Sequence, residues 1–331
     1  MILRWIAGAL AGLALLAAPA QAQVTVDKAK VHSPSVAGNL EGNSADREVF
    51  VILPASYAKS PGRRYPVLYF LHGFTATAAG YMDYLKFGEA MAATGAEMIV
   101  VVPDSYTRHG GSMYSNSPTV GDFEGFIARD LVAWVDGKYR TLAKRESRGL
   151  AGHSMGGYGT LKIGMKYPQV FSSLYAMSSC CLSPRTATPA MLKPLESMTV
   201  DQAVAGDFLT RANFAVAAAW SPAPDKPPFF ADIGLDKQGQ PDPLVFAKWA
   251  ANAPLAMLPQ YLPALRSMTA IALDVGDKDF LLSDNQAIHA ELTRFGIVHG
   301  WTLYDGDHGN RIPERFRQFV LPFFAQHLAA K

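Results

Sequence analysis

The sequence predicts an α/β domain, a mostly parallel central sheet with helices on both faces and one long insertion. Three observations predict it. Runs that are apolar throughout, such as "VLYFLHG" (Val67 to Gly73) and "MIVVVPD" (Met98 to Asp104), suit strands buried on both faces. They alternate with segments whose apolar residues recur at helical spacing. Between about residues 184 and 268 that rhythm stops, in a stretch dense in Pro, Asp and Gly.

From the N-terminus, the first 22 residues have the form of a signal peptide. Arg4 supplies the positive start, Trp5 to Ala18 the apolar run and Ala20-Gln21-Ala22 a small-residue cleavage site, so the mature chain would begin at Gln23. The run is shorter than the ~20 residues a membrane span needs. This implies an exported protein, periplasmic or secreted, with no stable membrane insertion.

"REVFVILP" (Arg47 to Pro54) is a strand by composition and, across the turn-rich "SPGRRYP", is expected to pair as a hairpin with "VLYFLHG". After "MIVVVPD" come the helix "FEGFIARDLVAWVDGKY", the strand "SRGLAGHS", the helix "MGGYGTLKIGMKYP" and the strand "FSSLYAMSS". The insertion carries "SPAPDKPPFF" and "DKQGQPDP" among short helical pieces such as "VFAKWAANAPLAML". That composition suits a cap above the sheet better than another βα unit. The rhythm resumes with "AIALDVG", the helix "SDNQAIHAELTRFG", the strand "GWTLYDG" and a last helix from about Pro313. Residues 23–331 are therefore expected to form one domain, with a cap at about 184–268.

A hydrophobic fraction of 49% supports an ordinary globular core. The net charge of +2, or +1 without the leader, leaves no electrostatic footprint for nucleic acid or an anionic membrane. Two cysteines exclude a disulfide framework and a zinc site of thiolates. They are adjacent, Cys180 and Cys181, and both a vicinal bridge and two reduced thiols are open, since neighbouring Cα atoms ~3.8 Å apart are closer than a disulfide prefers.

The chemistry centres on Gly152-His153-Ser154-Met155-Gly156, a G-x-S-x-G pattern between a buried strand and a helix. There the serine occupies a strained turn, and glycines two residues to either side let backbone approach without Cβ clashes. A serine hydroxyl needs a base, and the base needs an orienting acid, in the chain order Ser, Asp or Glu, His. Of the eight histidines, His32, His72, His109 and His153 precede or adjoin the serine, His289 and His327 sit in predicted helices, and His299 opens a strand. His308, in the loop "YDGDHGNR" after a strand, is left as the candidate base.

The acid comes from "LDVGDKDFLLSD". Asp274 lies within the strand, and Asp284 has the place of a helix N-cap. Asp279 is the candidate because the turn Gly276-Asp277-Lys278 lets it fold back toward His308; Asp277 is its rival. The oxyanion donors expected are the backbone N–H groups of Met155 and of Phe74 in "LHGFTATAAGY", with Thr75 as the alternative to Phe74. Tyr114, Trp220, Phe229 and Phe280 are candidate pocket aromatics.

The chain resembles the esterase D, feruloyl esterase and antigen 85 group of α/β-hydrolases. "REVFVILPASY", "YPVLYFLHGF", "SNSPTVGDFEGFIARDLVAWVDGKYRT", "GLAGHSMGGYGTLKIGMKYPQVFSS", "DVGDKDF" and "DGDHGNR" match that group's blocks in order, over nearly the whole mature chain. The resemblance implies an α/β-hydrolase fold, with the nucleophile on Ser154, the acid, in a G-x-x-D block, on Asp279, the base on His308 and the first oxyanion loop on His72-Gly73-Phe74. It implies hydrolysis of a carboxylic ester through an acyl-enzyme, with no metal and no organic cofactor and with a small-molecule, carbohydrate or lipid ester as substrate. Transfer of the acyl group to a sugar or lipid hydroxyl is the alternative within enzymes, and a non-catalytic binding protein the alternative outside them. The group's substrates are too varied for the resemblance to name one.

Overall fold

The computed structural model describes residues 23–331; the expected leader, residues 1–22, lies outside the described residues. Among the described residues eight strands form one sheet: β1 (Thr25–His32), β2 (Asp46–Leu53), β3 (Val67–Leu71), β4 (Ile99–Pro103), β5 (Arg148–His153), β6 (Ser173–Met177), β7 (Ala270–Gly276) and β8 (Gly300–Tyr304). Their order is β1-β2-β4-β3-β5-β6-β7-β8. β2 runs antiparallel to β1 and β4, and β3 through β8 are mutually parallel.

The expected hairpin between β2 and β3 does not form, because β4 lies between them. The hairpin partner of β2 is β1, paired from Thr25 with Leu53 to His32 with Asp46. β1 escapes a reading of apolar runs because it is an edge strand: in "TVDKAKVH" only Val31 is buried. Its ladder is set by main-chain pairing, while its side chains face water.

Alternate residues of the central strands feed two cores. Leu68 and Phe70 of β3, with Val100, Ala151 and Tyr175, pack on one face against α1 (Ala78–Leu85), α2 (Phe87–Thr94) and the C-terminal α10 (Leu321–His327). Val67, Tyr69 and Leu71, with Val101, Leu150 and Leu174, pack on the other against α3 (Leu131–Lys138), α4 (Met155–Lys166) and α9 (Leu282–Arg294). This burial on both faces is why those strands carry no polar alternation. The last predicted helix begins at Ile312 and passes through a π turn, Phe316–Val320, into α10.

Between β6 and β7 the chain forms α5 (Pro189–Glu196), α6 (Val200–Ala205), α7 (Phe208–Trp220), α8 (Pro243–Ala250) and shorter turns. Asp207 caps α7 by accepting the Thr210 N–H at 2.8 Å, and Thr199 with Gln202 forms a capping box on α6. Phe214, Val216 and Trp220 of α7 and Trp249 of α8 are buried in the same core as α4. Two indole N–H groups tie these helices down, Trp220 to Ser115 Oγ at 3.0 Å and Trp249 to Ser221 Oγ at 2.8 Å.

Candidate active site

Ser154 stands between the end of β5 and the start of α4 with φ 59° and ψ −116°. Such a non-glycine conformation costs on the order of 1–3 kcal/mol and persists only where packing enforces it. The packing here is backbone on backbone. A Cβ on Gly152 would lie 2.4 Å from the Gly156 carbonyl carbon and oxygen, and one on Gly156 would lie 1.9 Å from the Leu71 carbonyl oxygen. The Ser154 N–H is held by the Met177 carbonyl at 2.9 Å.

The structure brings three of the predicted residues into one line. His308 Nε2 lies 3.0 Å from Ser154 Oγ, and its Nδ1 lies 3.1 and 3.0 Å from the two Asp279 carboxylate oxygens. A carboxylate only accepts, so Nδ1 carries the proton and the Nε2 lone pair faces the serine hydroxyl. Asp279 is buried, whereas the His308 side chain keeps a quarter of its surface exposed. Burial would push the Asp279 carboxyl up, but hydrogen bonds from His308, from the Leu281 N–H at 2.8 Å and from Ser178 hold it below its usual range. The carboxylate therefore stays ionised beside the imidazole.

The loops that carry these residues are built to meet. Asp307 Oδ1 accepts the N–H groups of Gly309 and Asn310, both at 2.8 Å, which winds the turn around His308. Gly276 ends β7 where a Cβ would come 2.2 Å from the Gly306 carbonyl oxygen, so the loops that carry Asp279 and His308 touch through glycine.

The other carboxylates of this stretch lie elsewhere. Asp277 is exposed and accepts the Gly306 N–H at 3.0 Å. Asp274 is fully buried but engages side chains, Tyr175 Oη at 2.9 Å and Arg315 Nε at 2.8 Å. Asp284 does not cap α9, which starts at Leu282; it accepts the Ser183 hydroxyl at 2.7 Å instead.

The HGF loop is ordered by His72. Its Nε2 accepts the Ser105 N–H at 2.8 Å, so Nδ1 is protonated and donates to the Gly73 carbonyl at 2.9 Å. The peptide is planar, so holding the Gly73 carbonyl also sets the direction of the Phe74 N–H. Among the described residues that N–H has no hydrogen-bond partner, whereas the Thr75 N–H is donated to the Gly110 carbonyl at 2.8 Å. Met155 heads α4, where an N–H has no carbonyl of its own helix to bond.

Two cavities adjoin Ser154. An open cleft of about 400 Å³ is lined by Gly73, Phe74, Tyr81, Ser154, Phe280 and His308. A pocket of about 170 Å³ shares Phe74, Ser154, Phe208 and Phe280 with it and continues to Cys180, Cys181, Arg185 and the α7 residues Ala212 and Val216. The two cysteines are free, with their sulfur atoms 2.7 Å apart.

Of the four candidate aromatics, Phe280 lines the site. Tyr114 is instead buried, donating to the His72 carbonyl; Trp220 is buried in the α7 core; and Phe229 stacks on Phe214. The first two lie on segments whose apolar residues are needed for packing. Sequence reasoning missed Phe208 and Arg185. The signal for Phe208 was present in "GDFLTRANFAVAAAW", where two large apolar residues follow an N-cap at positions the helix leaves exposed.

Among the described residues no group of three or more His, Cys, Asp or Glu side chains could hold a metal ion, and no helix is long and apolar enough to cross a membrane.

The family described as "Putative esterase" matches residues 43–301. An esterase of Mycobacterium tuberculosis (strain ATCC 25618 / H37Rv) is 40% identical over 129 residues, 38% of this chain and 27% of that protein, so the match spans about a quarter of the relative's length. Among solved structures, a ferulic acid esterase superposes with a TM-score of 0.67 at 23% identity, over 94% of this chain and 100% of that one. The S-formylglutathione hydrolase of Staphylococcus aureus gives 0.61 at 18% identity, over 92% and 99%. At such identities the superpositions speak for the fold, which is that of α/β-hydrolase esterases. With the family match running from before β2 through β7 and including Ser154 and Asp279, the chain belongs to this esterase family.

Proposed function

We propose that the protein is an exported serine esterase that hydrolyses a carboxylic ester through Ser154, His308 and Asp279. His308 Nε2 takes the hydroxyl proton as Ser154 Oγ attacks the ester carbonyl carbon, and the oxyanion forms against the N–H groups of Met155 and Phe74. Asp279 holds the imidazole in the tautomer that accepts this proton and balances the positive charge it acquires. The proton passes from His308 to the leaving alkoxide, and an acyl-enzyme remains. Water gives a proton to His308 Nε2 as its oxygen attacks the acyl carbon; the bond from that carbon to Ser154 Oγ then breaks, His308 returns the proton to Oγ, and the carboxylic acid leaves. The observation that carries this reading is the unbroken line of hydrogen bonds from Asp279 through His308 to Ser154.

The unpartnered Phe74 N–H, beside a Thr75 N–H already in use, favours Phe74 as the second oxyanion donor. The segment at about 184–268 acts as a cap over one domain spanning 23–331, and its α7 contributes the pocket wall. The leader sequence supports export to the periplasm or beyond, with cleavage after Ala22.

Labelling by a fluorophosphonate and turnover of p-nitrophenyl esters test the chemistry. Wild type is expected to be labelled and active and Ser154→Ala to be neither; an unlabelled wild type would remove the proposal. N-terminal sequencing of the exported protein should begin at Gln23.

A further inference from the structure

The pocket beside Ser154 is apolar except at one place. Of the side chains that line it, Arg185 is the one that carries a formal charge. Phe74, Met113, Phe208, Ala212 and Val216 make the rest of its wall a surface for a hydrocarbon chain. Arg185 is half-buried, and a guanidinium set partly against such a wall gains from an anionic partner.

No carboxylate of the described residues lies in ion-pair range of Arg185. Its contacts are neutral: one Nη2–H donates to Asn213 Oδ1 at 2.8 Å, and the guanidinium carbon lies 5.8 Å from the Trp249 ring centroid. Asp284, the carboxylate near the same loop, is occupied by the Ser183 hydroxyl. Asn213 is itself buried on α7 and anchored through its Nδ2–H to the Leu209 carbonyl at 3.0 Å, so the guanidinium is held in position by a neutral clamp. A clamp of this kind fixes the group without supplying a carboxylate, and the charge falls on the neighbouring Cys180 and Cys181 thiols. Planar guanidinium donors match a carboxylate in two-point geometry.

We propose that Arg185 recognises a carboxylate on the substrate, so that the preferred esters carry an anionic group joined to the ester by a short hydrocarbon chain or ring lying in the pocket. The inference rests on the serine esterase reading. The carboxylate belongs either to the acyl half, as in a half-ester of a dicarboxylic acid, or to the alcohol half, as in an ester of a hydroxy acid. In both cases the chemistry recognised is the same, a carboxylate several bonds from the scissile carbonyl. The neutral part of the ester spans the wall between Phe208 and Val216 while the charge sits on Arg185.

Matched substrate pairs test this. In the first arm, mono-p-nitrophenyl adipate is compared with p-nitrophenyl hexanoate; in the second, 4-acetoxybenzoate is compared with 4-tolyl acetate. The expected result is that wild type prefers the anion in at least one arm by about 10- to 100-fold in kcat/KM, the range of a charge-assisted hydrogen bond. Arg185→Met should abolish that preference, chiefly through KM, while its turnover of the neutral ester of the same pair remains. Arg185→Lys should keep part of the preference, and Arg185→Glu should reverse it. Retained neutral-ester turnover shows that each variant is folded and that the esterase reading stands, so a failure of either idea is distinguishable. No anionic preference in either arm, or a preference that survives Arg185→Met, overturns the assignment.

Discussion

The Nε2–H of His153 donates to the main-chain carbonyl of His308 at 2.8 Å, so the residue preceding Ser154 holds the backbone of the histidine that faces it. Its Nδ1 accepts from the Tyr81 hydroxyl at 2.6 Å, which settles the tautomer. Burial, followed by the neighbouring His308, lowers the His153 pKa to about 3. A neutral, doubly bonded imidazole thus links α1, the elbow and the base loop.

Replacing His153 by Phe should leave the His308 carbonyl without its donor and loosen the base loop. A buried acceptor left unpaired costs about 1–3 kcal/mol. The expected loss is about tenfold or more in kcat with KM little changed. His153→Gln, whose amide can reproduce the donor, should recover much of it. Steady-state kinetics of the two variants on one neutral ester checks the contrast.

Asp279→Asn should lower kcat by about 10⁴, since the amide favours the wrong imidazole tautomer. Asp277→Asn should stay within about twofold of wild type, because Asp277 is exposed and its bond to the Gly306 N–H can be kept by an amide oxygen. Equal losses in the two variants would argue against Asp279 as the orienting acid.

Gly156→Ala should damage folding before it damages chemistry. The added methyl would meet the Leu71 carbonyl oxygen at 1.9 Å, backbone that cannot turn aside. Overpacking of this kind costs about 1–3 kcal/mol or more. A lowered denaturation midpoint, with reduced soluble yield, is expected; an unchanged midpoint would mean that β3 and α4 are less tightly apposed.

Stability should fall as pH drops below neutral. His153, lowered to about 3, and His109, lowered to about 4 by burial and then by Arg108 and Arg211, are neutral in the fold but protonate near 6.5 when unfolded. Between those values the unfolded chain binds more protons, so their contribution is complete above 6.5 and is lost toward 4 and 3. Glu41 acts oppositely: burial raises it to about 7 from 4.5, so its contribution is complete below 4.5 and is lost as pH rises through 7. Thermal midpoints measured from pH 7 to 4 should decline, and the decline should be shallower in His153→Gln.

Phe208→Ala should raise KM for medium-chain esters several-fold and leave acetate esters nearly unchanged. Phe208 is more than half exposed, packs edge-on against Phe74 at 5.5 Å and lines both cavities, so its removal takes contact from the substrate rather than from the core. An equal change for both chain lengths would place its role elsewhere.

The legibility of this protein followed burial. β3, β4, β5, β6 and β7 were plain in the sequence because burial on both faces demands continuous apolar runs. β1 was not, because an edge strand is specified by main-chain pairing. The elbow was plain because its glycines answer a local steric demand. Phe280 was legible as an aromatic beside the acid, whereas Tyr114 and Trp220 were misplaced as pocket residues because an apolar side chain looks the same whether it packs or lines a cavity.

Local rules account for the alternation of strands and helices, the strained serine with its flanking glycines, and the order of serine, aspartate and histidine along the chain. Only the tertiary structure decided which loops meet. The contact of Gly276 with Gly306, the hold of His153 on the His308 carbonyl and the place of Arg185 in the pocket beside Ser154 join residues far apart in sequence. Such pairings depend on strand order and loop closure, which local composition does not encode.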